Sequence, residues 1–534
     1  MKHGFLKRSF LLMTAFLMMI CVLPLSGTEI YAADILNKGD YTYRILDDGK
    51  SAAIVRYKGN GLYEKLPSKV DKYYVTMVDS AAFMYNKTIK EIEVSSYITD
   101  IGSNAFALCS SLKKLIIPSN VKNVGDCAFS ECTALKSVDI SEGVQTLGRY
   151  CFSGCKSLTE LKMPEKMDNI GEYAFFDCRS LANIQLPKSI KHLGGYALEG
   201  TKWMDGQKDD FVTAGDGILI KYNGNARSAV IPDTVKIIGD CVFERNDSVD
   251  QVIMPNSVVS IGDSAFEGCD VLENVKLSEN ITSLGEKCFK GCGLLKEVAL
   301  PPKVSKIPAN CFEGCSGIEN IVLPEGVKAI EKEAFKNCTS MKRIELKKGL
   351  EKIEAFAFDG CMELGMLSFA ETVKEIQEFA CNGCYSLTRV EFNSSSLVIS
   401  SFAFSDCPNL SQVVFNKKPK HIEANGFNRC SKNMILYGGD YMKSYAKENN
   451  YQIENVGSLP QYVDKGVLKP DDEETSLFSG GHTALIFIIL VVDCGIVAFF
   501  TAYLLLYSKK KVKISKLYPS SKKDDSPKRM PPKK

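Results

Sequence analysis

The 534-residue chain has few of the residues on which most enzymes depend. It contains only four histidines and one tryptophan. His3 lies at the N-terminus, and His192, His421 and His482 are far apart in sequence, so no Ser-His-Asp or Cys-His arrangement is recognisable. A P-loop and a dinucleotide-binding glycine motif are also lacking. We therefore expect no enzymatic activity, no cofactor and no metal centre.

The central part of the chain lacks an excess of positive charge. Between Ala33 and His482 there are 52 Lys and Arg residues against 60 Asp and Glu residues, a net charge of −8, although the whole chain carries +2. Proteins that bind nucleic acid present a basic stripe to the phosphates. We therefore expect no nucleic acid partner.

What the sequence does contain is a period of 23 residues. An aliphatic residue opens each of fifteen units, Phe follows five residues later in thirteen of them, and Cys follows eight residues later in twelve. The openings are Val78, Ile101, Val124, Leu147, Ile170, Leu193, Ile238, Ile261, Leu284, Ile307, Ile330, Ile353, Ile376, Ile399 and Ile422. Such a period is typical of a solenoid, in which each unit buries its apolar side only against its neighbours.

Within a unit, the pattern predicts one short strand and a tight return. The segment Leu272–Leu277 has the pattern L-x-x-V-x-L of a strand in a leucine-rich repeat. Gly follows the opening residue in eight units, the last being Gly285, which suits either a positive φ or a close approach of two backbones. From Pro308 onward this Gly is replaced, so we expect the C-terminal half to coil differently.

The composite pattern I-G-x-x-A-F-x-x-C-x-x-L-x-x-V-x-L-P resembles the BspA-like leucine-rich repeat of microbial surface proteins. The resemblance extends from Val78 to Cys430. It implies a curved, right-handed solenoid with one strand per turn, on a secreted or surface-attached protein that binds host or microbial ligands. It supplies no catalytic residue. The chain departs from the general leucine-rich pattern because Cys precedes the strand and no Asn ladder follows it.

The solenoid is predicted to span residues 78–433, with one insertion at residues 201–229. Two apolar segments on either side of Asp216-Gly217 predict a β-hairpin there. Trp203, at its entrance, is interpreted either as packing against the coil or as an exposed ligand anchor. Because the ends of a solenoid need covering, residues 34–77 are predicted to form a β-rich N-terminal cap and residues 434–456 a C-terminal cap.

Apolar runs at both ends of the chain predict export and membrane attachment. Residues 1–33 are interpreted as a signal peptide, 457–482 as an acidic stalk, and 483–507 as a transmembrane helix. The tail, residues 508–534, has eleven basic residues against two Asp, which marks the cytoplasmic side. The sequence thus predicts a single-pass protein of the cell membrane, with its solenoid outside.

Two features of this anchor have alternative interpretations. The basic tail is either a plain stop-transfer flank or a segment that binds anionic lipid. Asp493 lies near the middle of the predicted span, where a carboxylate is costly. It either contacts a transmembrane partner helix or is an isolated charge that the other residues tolerate.

The cysteines, twenty in all, follow the repeat. Twelve share the eighth position after the opening: Cys109, Cys132, Cys155, Cys178, Cys269, Cys292, Cys315, Cys338, Cys361, Cys384, Cys407 and Cys430. Stacked turns lie about 4.8 Å apart, within disulfide range, but parallel side chains disfavour bonding. We expect buried free thiols that act as small hydrophobic groups. The C-x-x-C motif of Cys381 and Cys384 is interpreted as part of the repeat, against a redox or zinc site.

Outward positions of the strands are the candidate ligand contacts, if the strands line a concave face. They are Lys113, Lys114, Ile116, Glu160, Lys162, Ile253, Val322, Lys342, Arg343 and Arg389. Ile253, Val322 and Val414 are expected to be exposed apolar residues. The first hypothesis is adhesion to, or recognition of, an extracellular protein or glycan. The second is a structural or sensory role through a transmembrane partner.

Overall fold

The computed structural model describes residues 35–458, and these form a β-solenoid whose turns repeat every 23 residues. Each regular turn contributes two parallel strands, whereas the sequence predicted one. A short strand of two residues ends at the opening aliphatic residue, and a long strand of three or four residues follows 13 to 16 positions later, as in Asp100–Ile101 and Lys114–Ile117. The short strands pair with short strands and the long strands with long strands.

The predicted signal peptide, transmembrane helix, Asp493 and basic tail lie outside the described residues, as does nearly all of the predicted stalk. Within residues 35–458, no helix has the length and apolar character needed to cross a membrane.

The N-terminal cap is β-rich, as predicted, and is continuous with the solenoid. Its strands are β1 (Ile35–Lys38), β2 (Tyr41–Ile45), β3 (Ser51–Tyr57), β4 (Tyr63–Lys65), β5 (Lys69–Val70) and β6 (Tyr73–Val78). The antiparallel strands β1, β2 and β3 lead into β6, which starts the short-strand ladder, and β4 starts the long-strand ladder. The cap therefore gives both ladders a paired first strand.

The first solenoid segment precedes the insertion. Its strands are β7 (Glu91–Glu93), β8 (Asp100–Ile101), β9 (Lys114–Ile117), β10 (Asn123–Val124), β11 (Ser137–Ile140), β12 (Thr146–Leu147), β13 (Glu160–Lys162), β14 (Asn169–Ile170) and β15 (His192–Leu193). The insertion that follows contains the helix α1 (Lys202–Asp205), capped by the Thr201 hydroxyl, and the strands β16 (Phe211–Ala214) and β17 (Ile218–Tyr222).

The predicted β-hairpin is confirmed, since β16 and β17 are antiparallel. The second strand of the hairpin also has a role that the sequence did not indicate. It pairs in parallel with the first short strand after the insertion, Ile218 opposite Ile237. The hairpin thus rejoins the solenoid and covers its second segment.

The second segment continues to the C-terminal cap. Its strands are β18 (Ser228–Val230), β19 (Ile237–Ile238), β20 (Gln251–Ile253), β21 (Ser260–Ile261), β22 (Asn274–Lys276), β23 (Lys306–Ile307), β24 (Asn320–Val322), β25 (Ala329–Ile330), β26 (Arg343–Glu345), β27 (Lys352–Ile353), β28 (Met366–Phe369), β29 (Glu375–Ile376), β30 (Arg389–Phe392), β31 (Val398–Ile399), β32 (Gln412–Phe415) and β33 (His421–Ile422). The end consists of β34 (Ile435–Tyr437), a 3₁₀ turn (Asp440–Met442), α2 (Lys443–Glu448), β35 (Gln452–Glu454) and a 3₁₀ turn (Val456–Ser458).

A column of stacked phenylalanine rings runs through the core. Ring centroids of neighbouring turns lie 4.8 to 5.6 Å apart, from Phe83–Phe106 to Phe335–Phe358. Tyr57 of the cap and Tyr222 of the hairpin continue the columns of the two segments at their N-terminal ends. The rings of adjacent turns cover both faces of each inner ring, so its burial depends on stacking.

The twelve periodic cysteines form a second column of free thiols, as predicted. Each Sγ atom donates to a backbone carbonyl oxygen 26 residues earlier, at 2.9 to 3.4 Å. Eleven of these cysteines are buried, and Cys430 is half-buried at the C-terminal end. The thiol therefore acts as a hydrogen-bond donor as well as a small hydrophobic group.

The glycine after the opening residue is needed for close backbone approach. A Cβ atom on Gly125 would lie 2.7 Å from the carbonyl carbon of Gly102, one turn earlier, and its φ is not positive. The positive φ angles occur elsewhere, at the third and seventh positions after the opening, as in Asn104 (58°) and Leu108 (61°). Of the two predicted reasons for this glycine, the structure supports the close approach.

Candidate binding face and groove

The predicted contacts of the first segment lie on one face of its long strands. Lys114 and Ile116 belong to β9, and Glu160 and Lys162 to β13, with β11 in register between them. The alternating burial of β9 turns Ile116 to solvent, with 47% of the residue exposed. Lys113, just before the strand, is also exposed.

The contacts predicted in the second segment belong to other sheets. Ile253 is half-buried in β20, whereas Val322 in β24 is 55% exposed. Lys342 and Arg343 are exposed at the start of β26. The long strands fall into four separate sheets, which divides the ten predicted residues among them.

Two expectations for the C-terminal sheet are corrected. Val414 in β32 is 1% exposed and not a surface residue. The Arg389 side chain is 12% exposed, and its guanidinium forms an ion pair with Glu391 in the same strand. Little of Arg389 is accessible to a ligand, because its charge is already paired and covered.

Both strand ladders are interrupted in the turn that Leu284 opens. On the short-strand side, Ser283 forms only an isolated bridge with Ser260, and β23 begins a new sheet. Pro308 explains why this turn is not paired with β23. The residue in its position elsewhere donates its N–H to the opening carbonyl of the preceding turn, as Gly262 does to Ile238 at 2.8 Å, and proline has no N–H to donate.

The long-strand ladder is interrupted at the same turn. Glu297 forms only an isolated bridge with Asn274, and β24 pairs with β26 alone. One edge of β24 is therefore without a neighbouring strand within the described residues. An unpaired edge presents backbone donors and acceptors to whatever lies beside it.

A groove of about 1170 Å³ lies at this interruption. Apolar side chains dominate its lining: Leu294, Val298, Leu300, Pro302, Val322 and Leu323. Leu294 is 49% exposed, so the groove brings two large exposed apolar residues, Leu294 and Val322, to one surface. Exposed apolar patches on soluble domains commonly mark interaction sites.

Charged residues at the rim pair within each wall of the groove. Glu273, Lys296, Glu319 and Lys342 hold the same position in four consecutive turns. Lys296 Nζ lies 2.9 Å from Glu273 Oε2, and Lys342 Nζ lies 3.0 Å from Glu319 Oε2. In the described part of the chain, no ion pair joins Lys296 to Glu319 across the groove, although their charges are opposite.

A smaller cleft of about 280 Å³ lies beside the insertion and contains Asp240. The Asp240 side chain is 7% exposed; its Oδ2 lies 3.5 Å from His192 Nε2, and its Oδ1 accepts the Asp263 N–H at 3.0 Å. Burial raises the pKa of Asp240 to about 6, and the nearby His192 opposes that rise.

The chemistry of this cleft does not favour catalysis. Burial, together with the neighbouring Glu244 carboxylate, raises the pKa of Cys241, whereas a cysteine nucleophile needs a lowered one. Across residues 35–458, no three His, Cys, Asp or Glu side chains converge as metal ligands. Cys381 is fully buried in the phenylalanine column, and burial raises its pKa, which supports its interpretation as part of the repeat.

Two further sequence features acquire an explanation. Trp203 is half-buried and packs against the core of the first segment, and its backbone N–H donates to Leu181 at 2.9 Å. This supports packing over ligand anchoring. The sequence analysis missed Leu294, although the Pro301-Pro302 doublet in the same turn and Pro308 in the next turn mark this region as irregular.

Comparison with known proteins agrees with the repeat pattern. A family model for the BspA type leucine rich repeat region matches residues 76–204, 220–318 and 305–434, which is more than half of the chain. No curated protein sequence matches significantly. The array on both sides of the insertion is thus accounted for by one repeat type.

Several solved structures resemble the chain. One is a leucine rich cell surface protein from Faecalibacterium prausnitzii, with 29% identity, a TM-score of 0.33, and coverage of 58% of this chain and 94% of that chain. Another is a leucine-rich repeat protein from Bacteroides ovatus, with 26% identity, a TM-score of 0.28, and coverage of 64% and 98%. A leucine-rich repeat protein from Eubacterium ventriosum has 20% identity, a TM-score of 0.37, and coverage of 65% and 93%. On the extent of the family-model match, the chain belongs to the BspA type leucine-rich repeat family.

Proposed function

We propose that the chain is a membrane-anchored cell-surface protein whose solenoid binds an extracellular protein or glycan. The observation that carries the proposal is the groove in which Leu294 and Val322 are both about half exposed. Its volume of about 1170 Å³ is slightly above the range of about 300–1,000 Å³ that is usual for small-molecule sites. Membership of a repeat family found on cell surfaces supports the same role.

The groove is better suited to a polypeptide than to a glycan. Its apolar lining offers burial to a side chain such as Leu or Phe, and each fully buried side chain contributes about 1.5–3 kcal/mol. The unpaired edge of β24 offers hydrogen bonds to an extended backbone. A glycan, being largely polar, would bury little of the apolar surface of Leu294 and Val322 against apolar groups.

The attachment to the membrane follows from the terminal segments. Residues 1–33 direct export, residues 483–507 anchor the chain, and the basic residues 508–534 remain in the cytoplasm. This orientation places the groove outside the cell. A sensory role through Asp493 and a partner helix is the alternative, and it predicts that the solenoid has no ligand of its own.

The test measures binding of residues 34–458, which include both core clusters, to a panel of immobilised extracellular proteins and to a glycan array. We expect a member of the protein panel to bind, and Leu294→Glu and Val322→Glu to weaken that binding at least tenfold. Met366→Glu is the control, since Met366 is 42% exposed on another long-strand sheet and is not among the predicted contacts. Binding that survives both groove variants contradicts the assignment of the groove, and failure to bind either panel favours the sensory alternative.

A further inference from the structure

A pair of cysteines lies across the turns at which the ladders are interrupted. Cys288 and Cys311 each stand four residues after an opening, and their Sγ atoms are 3.3 Å apart. Both residues are fully buried. Ten of the fifteen units have alanine at this position. The sequence therefore places two thiols in contact where most neighbouring turns place two methyl groups.

These thiols are oriented differently from the periodic column. Cys292 and Cys315 lie in the same two turns, but each donates to a carbonyl oxygen, Cys292 to Phe266 at 3.1 Å and Cys315 to Phe289 at 3.0 Å. Cys288 and Cys311 are directed at each other instead. Cys292 and Cys315 thus form a matched comparison pair with equal burial in the same turns.

The backbone holds the contact in place despite the interrupted ladders. The Phe289 N–H donates to the Cys311 carbonyl oxygen at 2.9 Å, which keeps the two turns in register next to the thiols. Parallel backbones in this arrangement lie about 4.8 Å apart, inside the Cα separation that disulfides span. Both thiols are free in the structure, and their separation of 3.3 Å exceeds the S–S bond length of about 2.05 Å. The two side chains must therefore turn further toward each other to form a bond, and they differ from the periodic cysteines in already being directed at each other.

We propose that Cys288 and Cys311 form a disulfide bond in the exported protein. The bond links the turns opened by Leu284 and Ile307, which no short-strand pairing joins because Pro308 lacks an N–H. This covalent link compensates for the strand-to-strand hydrogen bonds that are missing between these two turns. The proposal is independent of ligand binding. It requires an oxidising compartment, and the predicted signal peptide would export the chain to one.

The oxidant is a small-molecule disulfide such as oxidised glutathione. One cysteine thiolate attacks it and releases one glutathione thiolate; the second cysteine thiolate then attacks the mixed disulfide and releases the other. The two protons lost by the cysteines end on the two glutathione thiols. The exchange precedes packing of the turn, because burial excludes the oxidant and raises the pKa of Cys311.

Peptide mapping tests the bond directly. The full chain, exported into an oxidising compartment, is unfolded with iodoacetamide and without reductant, digested and analysed by mass spectrometry. We expect a linked peptide that contains Cys288 and Cys311, with Cys292 and Cys315 alkylated. Recovery of both Cys288 and Cys311 as alkylated thiols overturns the proposal, and so does a link between Cys292 and Cys315.

Alanine variants provide the second measurement, since alanine is the usual residue at this position. Cys288→Ala is expected to leave Cys311 as a free thiol, whereas Cys292→Ala keeps the link. Adding a phosphine reductant should lower the urea midpoint of the wild-type chain but not that of the Cys288→Ala/Cys311→Ala double variant. An equal fall in both chains contradicts the proposal.

Discussion

The Sγ atom of Cys315 donates to the carbonyl oxygen of Phe289 at 3.0 Å, which ties the eighth position of one turn to the fifth position of the turn before it. The same carbonyl also accepts the Cys292 N–H at 3.1 Å. Twelve cysteines repeat this contact along the solenoid, so the thiol column joins successive turns by side-chain as well as backbone bonds.

If the thiol is a donor, Cys315→Ser should be no more destabilising than Cys315→Ala, because the hydroxyl keeps the hydrogen bond. The bond itself is worth only about 0.5–1.5 kcal/mol, since the Phe289 carbonyl retains its bond from Cys292. Urea unfolding of the two variants measures the order. A serine variant clearly less stable than the alanine variant would show that the thiol serves only as a hydrophobic group.

Removing one ring from the phenylalanine column should be costly. Phe312 is fully buried, with ring centroids 5.5 Å from Phe289 and 5.4 Å from Phe335. We expect Phe312→Ala to lower the free energy of unfolding by about 3–5 kcal/mol. Phe356→Ala is the control, since Phe356 stacks on Phe379 but is only half-buried, and its loss should cost clearly less. Equal losses would mean that the column is not the principal source of stability.

The glycine that follows the opening residue should not tolerate a side chain. In Gly148→Ala, the new Cβ would lie 2.5 Å from the backbone nitrogen of Asp126. Backbone shifts of this kind cost about 1–3 kcal/mol. Gly365→Ala, where the nearest atom would be 4.0 Å away and φ is not positive, is expected to be neutral or slightly stabilising. Thermal unfolding compares the two, and a neutral Gly148→Ala would contradict the close-packing explanation.

The buried carboxyl group of Asp240 should make the free energy of unfolding depend on pH. Its pKa in the folded chain is about 6, raised by burial, against an ordinary value of 3.8. The folded state therefore holds the proton more tightly, and this contribution to stability is fully present below pH 4 and lost as the pH rises through 6. Relative to Asp240→Asn, the wild-type chain should lose about 2–3 kcal/mol of unfolding free energy over that range.

Urea unfolding of both chains at pH 4, 5, 6 and 7 measures this difference. The asparagine keeps an oxygen to accept the Asp263 N–H, so the comparison isolates the charge. Asp126→Asn controls for exchanging a carboxylate that accepts a backbone N–H from the next turn, in its case from Arg149 at 2.7 Å. A difference between wild type and Asp240→Asn that does not change with pH would rule out a titrating Asp240.

Much of the fold could be predicted from the sequence, because every turn of a solenoid buries the same side chains at the same spacing. The aliphatic openings, the phenylalanine five residues later and the cysteine eight residues later are buried where the period predicts, except in the last turn, where Ile422 and Cys430 are half-buried. The hairpin turn at Asp216-Gly217 is equally local, and Gly217 has the positive φ of 85° that its turn requires. The second strand of each turn was missed, because two residues are too few to show an alternating pattern.

The candidate groove was far less predictable. Val322 was identified from its outward position in a strand, but Leu294 lies in a return segment, where periodicity predicts nothing about exposure. Val414 occupies an outward position and is nevertheless buried, next to the similarly covered Tyr437 opposite it in β34. Exposure at such positions depends on what the neighbouring turns and the cap place over them.

The sequence by itself determined the repeat, its length, its interruption and the identity of the buried columns, because burial in a solenoid needs the same side chains at the same spacing in every turn. Only the tertiary structure decided where the turns separate. Pro308 removes one hydrogen bond locally, but the groove between Leu294 and Val322 and the contact between Cys288 and Cys311 arise from residues 23 or more positions apart. The distances between such residues depend on how whole turns stack, which no single repeat specifies.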